Sequence, residues 1–460
     1  MRPTVGDRSC VVLDLVTKFG HHRGMHAALE VLLVFTRLGL TSFGGPVAHL
    51  GYFREEFVLR RRWMTEEEYA DLVALCQFLP GPASSQVGMA VGLRRAGHLG
   101  MFLAWLAFTL PSAVALAVFA FVFGALGGPA LAGGEPAGWI IGLGCAVVAV
   151  VAQAVLGMAG NLASGRLTAA IAVGAFVLVT LVPHTLAPVG AILLGAALAS
   201  AIHRRQGVAS TSDAPEAPRG SDGGSGGDGP SGGNGGVGSG GDRAVGGPDD
   251  SGRPASARSS RGVALGALAL FVLVLVGLPI GAAAGVPGFG FLDTYYRAGS
   301  LVFGGGHVVL PLLEGGTVGA GTVGAADFLA GYGAAQAVPG PLFTFAAFLG
   351  VVDAAGPGGV FGGLLALLAV FLPAALLVLG VLPFWEQVRT RPGIRRAMVG
   401  ANAAVVGILA AALWNPVFTT GILGVGTLCV AAVCFVALVV WKLPAWSVVI
   451  AAGVVGAFAF

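Results

Sequence analysis

RLGLTSFGGPVAHL (residues 37–50) and RAGSLVFGGGHVVL (residues 297–310) are two copies of one pattern, and their pairing decides how the chain folds. Arg37 stands with Arg297, Gly39 with Gly299, Phe43-Gly44-Gly45 with Phe303-Gly304-Gly305, and Leu50 with Leu310. A second match follows at nearly the same offset, QFLPGP (Gln77–Pro82) with QAVPGP (Gln336–Pro341), and Glu68 and Asp327 each lie nine residues before the glutamine. Leu110-Pro111 and Leu372-Pro373 make a third. Three matches in order indicate a duplicated unit, the way many secondary transporters are built.

The sequence around these motifs belongs in a membrane. Hydrophobic residues make up 56% of the 460 residues and charged residues only 10%, with a mean hydropathy of +0.86; a soluble domain carries roughly 25% charge. An ordinary cytosolic enzyme is excluded. Met101–Phe123, Ile140–Gly160, Val263–Ala284 and Val360–Gly380 are continuously apolar, each long enough to cross roughly 30 Å of hydrocarbon as a helix. A β-barrel would alternate in polarity over segments of about ten residues, so the fold class is an all-α polytopic membrane protein. The net charge of +3 and the scatter of arginines over loops give no nucleic-acid surface. Cys10, Cys76, Cys145, Cys429 and Cys434 form no CxxC or paired framework and read as small buried hydrophobes. No cleaved signal peptide is read at the N-terminus.

Residues 206–261 change abruptly to Gly, Ser, Asp and Pro, with SDGGSGGDGPSGGNGGVGSGG at the centre. Such a stretch cannot bury enough apolar surface to order itself and reads as a disordered cytoplasmic linker. The expected organisation is a cytoplasmic lead-in (1–25), a first membrane repeat (26–205), the linker, and a second repeat (262–460).

Loop charges orient the repeats, since short cytoplasmic loops hold the excess of Lys and Arg. The first half has Arg54, Arg60–Arg62 and Arg94-Arg95, where the corresponding stretches Glu314–Asp327 and Val352–Gly359 have no basic residue. Beyond the repeated Leu-Pro the pattern reverses: Phe384–Arg396 carries four arginines and Gly124–Gly138 none. The repeats are therefore expected to be inverted. Because Lys18–Arg23, Arg54–Arg62 and Arg94-Arg95 all want the cytoplasm, Ala27–Val58 and Glu66–Leu93 are expected to be re-entrant hairpins whose FGGP and PGP tips lie near the midplane; the alternative places every break in an ordinary kinked span. Glycine and proline break helices, and irregular backbone at that depth is tolerated only against protein or water. Four full spans are expected to follow in the first half. In the second, an outward span is followed by two hairpins and four more spans.

Helices that restart at these breaks point their positive ends at them, which suits an anion. Gly44, Gly45, Pro46, Pro80, Gly81 and Pro82, with Gly304, Gly305, Pro339, Gly340 and Pro341, are thus candidate substrate-site residues; the plainer reading is close helix packing. Arg37 and Arg297, inside apolar segments, are candidate anion ligands by bidentate donation, against simple snorkelling. Gln77, Gln336, Ser84, Ser85 and Thr344 could add neutral donors. Glu68 and Asp327 are candidate proton-coupling groups, although Glu68 after Thr65 equally suits a capping box. His49 and His307 occupy different repeat positions and read as packing or interfacial residues. Trp63, Trp139, Trp385, Trp414, Trp441 and Trp446 read as interfacial anchors.

The segment Phe35–Gly100, with its combined FGGP, RRRW, EEE and QxLPGP pattern, resembles the chromate transporter family in its long, two-domain form, and the second half carries a weaker copy. The resemblance covers both membrane halves and not the linker. It implies efflux of chromate across the inner membrane and chromate resistance, and it places Arg37, Gly44, Gly45, Pro46, Gln77, Pro80, Gly81 and Pro82 among the important residues. Gly306 departs from the pattern where the first half has Pro46. The expected partners are an inorganic oxyanion, chromate or sulfate, and the lipid bilayer, with a homodimer allowed. With no nucleotide, flavin or metal motif, no cofactor or enzyme activity is expected. A passive anion channel is the alternative that the same helix ends would permit.

Overall fold

The computed structural model describes residues 26–125, 137–182, 187–212, 261–303, 306–385 and 392–460. The expected lead-in, most of the expected linker, and the candidate residues Gly304 and Gly305 lie outside the described residues. Among the described residues every regular element is a helix.

The first hairpin is α1 (26–41) and α2 (Gly45–Arg54), extended by a π turn over Glu55–Arg60. Phe35 packs on Phe53 and Phe57 at ring-centroid distances of 5.9 and 5.3 Å, and Glu30 takes a hydrogen bond from Arg61 Nη1 at 2.9 Å. The chain has doubled back at residues 42–44. The second hairpin is α3 (Glu66–Phe78) and α4 (83–95), folded at the PGP break. Thr65 and Glu68 close a reciprocal capping box at the start of α3. Arg95 returns to Glu30, with Nη2 donating at 2.8 Å. One carboxylate thus ties the ends of both hairpins. A turn at Ala96-Gly97 (Gly97 φ 65°) then reverses the chain into α5 (98–125), and Gly92 and Gly100 touch so closely that a Cβ on either would strike the other's carbonyl.

The second half repeats this plan. After α9 (Arg261–Ala283), α10 (Phe289–Leu301) pairs with a 3-10 turn (Gly306–Val308) and α11 (Val309–Thr317). Next, α12 (Ala325–Ala337) pairs with a 3-10 turn (Leu342–Thr344) and α13 (Phe345–Val352). Its ends also meet: Tyr295 donates to Asp353 Oδ2 at 2.9 Å, and Ala354 N to Thr322 O at 3.1 Å. Gly350 and Gly362 repeat the Gly92–Gly100 contact at the entry to α14 (Gly359–Val381).

Helices α5 and α14 relate the two pairs. Helix α5 begins at the base of the N-half hairpins and passes the tips at Phe108, whose carbonyl leaves no room for a Cβ at Gly39. It reaches Phe348 of α13 through Phe119 and Phe123, at 5.7 and 6.1 Å. Helix α14 runs the other way, from Gly350 past Gly299 at Val370 to the N-half core at Leu377 and Val378. Each helix leaves the base of its own hairpins and ends beside those of the other half.

The remaining helices are α6 (Gly138–Leu162), α7 (Arg166–Leu181), α8 (Ala187–Ser212), α15 (Pro392–Ala412), α16 (Val425–Val439) and α17 (Ala445–Ala459). The core holding the C-half hairpins also takes in residues of α6, α7, α8 and α15, whereas the N-half hairpins have a separate, smaller core.

Helix α8 runs on to Ser212, into the segment read as linker. Five helices among the described residues are long and apolar enough to cross a membrane: Ala83–Ala125, Gly138–Leu162, Arg261–Ala283, Gly359–Phe384 and Pro392–Gly421. Helix α7, read from sequence as a full span, has 16 residues, and the last two helices, read likewise, have 15 each, or about 22 Å. They form a hairpin along α6, with Phe460 back beside Gly426 and Trp446 against Phe43 at 5.7 Å.

Candidate functional site

The four breaks meet across the halves. Gly81 N donates to Val302 O at 2.7 Å, and Gly340 N donates to Ser42 O at 2.9 Å. Ser42 and Val302 share one repeat position and Gly81 and Gly340 another, so each hydrogen bond is the image of the other. Both glycines have positive φ, 115° and 101°, which a side chain disfavours. Both are also pressed by the facing half: a Cβ at Gly81 would lie 3.3 Å from Gly299 O, and one at Gly340 would lie 2.9 Å from Ser112 Oγ and 3.3 Å from Phe108 O.

Pro46 and Gly306 sit where the two images touch. A Cβ on Gly306 would lie 2.9 Å from Pro46 Cγ. The two share one repeat position and contact each other, so only one of them can be bulky. The departure at Gly306 is therefore the complement of Pro46.

Around this junction the N-half is rich in buried polar groups. His49 is fully buried, with Nδ1 3.3 Å from Ser84 Oγ, Nε2 3.2 Å from Ser42 O, and its ring edge-on to Phe108. Gln86 Nε2 donates to Pro80 O at 2.7 Å, and Ser112 Oγ to Thr109 O at 3.0 Å. The hydroxyls of Ser42, Ser85 and Thr109 and the Gln86 carbonyl oxygen are buried with no hydrogen-bond partner in the structure. A buried polar group without a partner costs about 1–3 kcal/mol, and these atoms cluster beside the junction of the breaks. The ends of α1 and α10 present the Ser42 and Val302 carbonyls, and these are covered by the cross-half amides. Helices α2 and α4 begin at this level, and the 3-10 turns that lead into α11 and α13 do too; their first-turn amides lack intrahelical acceptors.

Several predicted residues fall here: Pro46, Pro80, Gly81, Ser84, Ser85 and Gly340. Pro82 and Pro341 are buried, Pro339 and Gly45 half-buried, and Gly44 exposed. Thr344 donates to Pro341 O at 2.6 Å, which fastens its own turn. Gln336 is half-buried with its amide nitrogen unpartnered, whereas Gln77 is exposed on α3.

The arginines are not drawn into a common pair among the described contacts. Arg37 is 60% exposed, on the outer stripe with Leu33 and Leu40, and lies 4.0 Å from Glu56. Arg297 pairs with Asp293 of its own helix at 2.6 Å. Glu68 is exposed and caps α3, while Asp327 is 8% exposed with Oδ1 unpartnered. His307 lies 2.7 Å from Tyr332 OH and pins α11's entry turn to α12. Sequence reasoning missed Ser42, Gln86, Thr109 and Ser112 and gave His49 only a packing role. Ser42 stands inside the repeated motif and Thr109 just before the repeated Leu-Pro, which was the available signal.

A family model described as Chromate transporter matches residues 29–200 and 289–457. The "Chromate transport protein" of Pseudomonas aeruginosa is 26% identical over 379 residues, 82% of this chain and 78% of that one. The "Probable chromate transport protein" of Synechococcus elongatus is 25% identical over 399 residues, 85% of each chain. An "Uncharacterized transporter" of Methanocaldococcus jannaschii is 39% identical over 90 residues, 20% of this chain and 22% of its own. No solved structure matches the chain.

Proposed function

Because the chain belongs to the chromate transporter family, we propose that it is a secondary transporter that carries chromate, or a similar tetrahedral oxyanion such as sulfate, out across the cytoplasmic membrane. It would thereby confer chromate resistance. The two halves act as inverted repeats: Arg54, Arg60–Arg62 and Arg94-Arg95 hold the N-half bases at the cytoplasm, and the C-half bases face outside. The observation that carries the reading is the reciprocal pair of tip hydrogen bonds, Gly81 to Val302 and Gly340 to Ser42. Released amides at those tips, with the hydroxyls of Ser42, Ser84, Ser85 and Thr109, bind the dianion as the two halves part. Arg37 and Arg297, each held by a carboxylate of its own half, serve the approach of the anion rather than its final site.

The test is counterflow of labelled chromate in proteoliposomes at equal pH, with sulfate as competitor. Saturable exchange that is lost in Gly81→Val and Gly340→Val is the expected result. Ohmic, unsaturable flux, or full exchange in both variants, contradicts the reading.

A further inference from the structure

Arg37 to Arg54 and Arg297 to Glu314 span the same number of residues, so the repeat sets Glu314 opposite Arg54. Their surroundings differ. Arg54 is exposed and donates Nε to Glu66 at 2.6 Å, which holds the Glu66 carboxyl below its usual range. Glu314 instead lines a cavity of about 510 Å³ between α11, the end of α7, the start of α8 and the end of α15. The polar side chains there are Thr180, Asn415 and Thr419, beside Trp414. No other Asp, Glu, His, Lys or Arg is among the described lining residues; residues 183–186, between Val182 and Pro188 of the wall, lie outside the described residues.

Among the described residues the Glu314 carboxylate has no ion pair and no hydrogen bond. Thr180 already donates to Phe176 O at 2.7 Å, and Thr419 lies within 3.1 Å of both Asn415 Oδ1 and Pro416 O. The hydroxyl oxygens remain free to accept. An ionised carboxylate without a cation is disfavoured in such a place, and a protonated one would reach those oxygens through water in the cavity. A metal cation would need several more oxygen ligands than this wall offers.

Helix α11 also begins at the turn that sets Gly306 against Pro46 and ties His307 to Tyr332. A charge at Glu314 would be best solvated by water entering the cavity between α11 and α15, and its neutralisation would favour their closing. We propose that Glu314, with Thr180, Asn415 and Thr419, forms a proton-binding site whose occupancy sets the docking of the C-half hairpin and so couples proton movement to oxyanion transport. This rests on the transport reading above, and the proton enters from water on one side and leaves to water on the other.

Proteoliposomes carrying wild type, Glu314→Gln, Glu314→Asp or Asp327→Asn are compared for chromate exchange at equal pH and for net flux under an imposed pH gradient. Wild type and Glu314→Asp respond to the gradient. Glu314→Gln is expected to keep exchange at equal pH and lose the gradient response, and Asp327→Asn to keep both. A gradient response surviving in Glu314→Gln, its absence from wild type, or its loss in Asp327→Asn alone overturns the inference while leaving transport intact. No exchange in wild type sinks the transport reading itself. Should Glu314→Gln fail to accumulate, the pH titration of Trp414 fluorescence in detergent, identified by subtraction of Trp414→Phe, still decides. A midpoint shifted in Glu314→Asp supports the site, and an unshifted one contradicts it.

Discussion

At the base of the N-half hairpins Glu30 gathers Arg61 and Arg95, and Arg61 also donates to the buried Glu56 at 2.6 Å. At the base of the C-half hairpins the buried Asp353 takes hydrogen bonds from Tyr295 and from Ala355 N, both at 2.9 Å, and among the described residues no arginine pairs with it. The backbones nevertheless agree down to paired glycine contacts and reciprocal tip bonds. What the two halves share is the scaffold that makes the tips meet. What diverged is charge: a solvated arginine cluster on one side, and carboxylates set among neutral groups (Asp327, Asp353 and Glu314) on the other. Under the proposed transport reading, the shared part would move as one device and the two faces would meet different ions.

The largest effects should come from the shared part. Gly81→Val or Gly340→Val introduces a β-branched residue at positive φ and against the opposite half, and either should abolish chromate resistance while membrane abundance stays normal on immunoblots. Equal loss from both supports the symmetry; loss from only one breaks it. Next comes the axis. Gly306→Ala should impair transport and thermal stability, and adding Pro46→Gly should restore much of both, with a coupling of about 0.5–3 kcal/mol. Strictly additive losses would mean that the two residues do not meet.

The bases should then separate the halves. Tyr295→Phe removes a donor from a buried carboxylate and should cost about 1–3 kcal/mol. Glu30→Gln acts on pairs whose side chains are 30–43% exposed, where solvent screening holds the loss to about 1 kcal/mol or less. Thermal melts in detergent check the order. The smallest change is expected from Glu68→Gln, which keeps a capping partner for Thr65 and should leave any response to a pH gradient untouched.

Much of this was legible in the sequence, for reasons that also mark the limit. FGGP, PGP and the basic clusters are local signals, so the doubling-back of the first two hairpins followed from Gly, Pro and Arg alone. The direction a helix face points is not local. Arg37 was placed in an apolar segment, but only packing shows it on the outer stripe with Leu33 and Leu40. The Glu314 cavity is assembled from α7, α8, α11 and α15, so neither Thr180 nor Asn415 could announce it. The depth of the last two helices escaped as well, because composition reports that a segment is apolar and not how far it reaches. Gly306 looked like a weakening of the motif until its contact with Pro46 gave it a cause.

The central claim is that two hairpin pairs enter from opposite sides and touch at their tips. It is tested most directly by single cysteines, Thr65→Cys at the N-half base and Gly321→Cys at the C-half base, in a background lacking the five native cysteines. A membrane-impermeant thiol reagent applied to intact cells should label Gly321→Cys and spare Thr65→Cys, and inverted vesicles should give the reverse. Labelling of both positions from the same side would contradict the account.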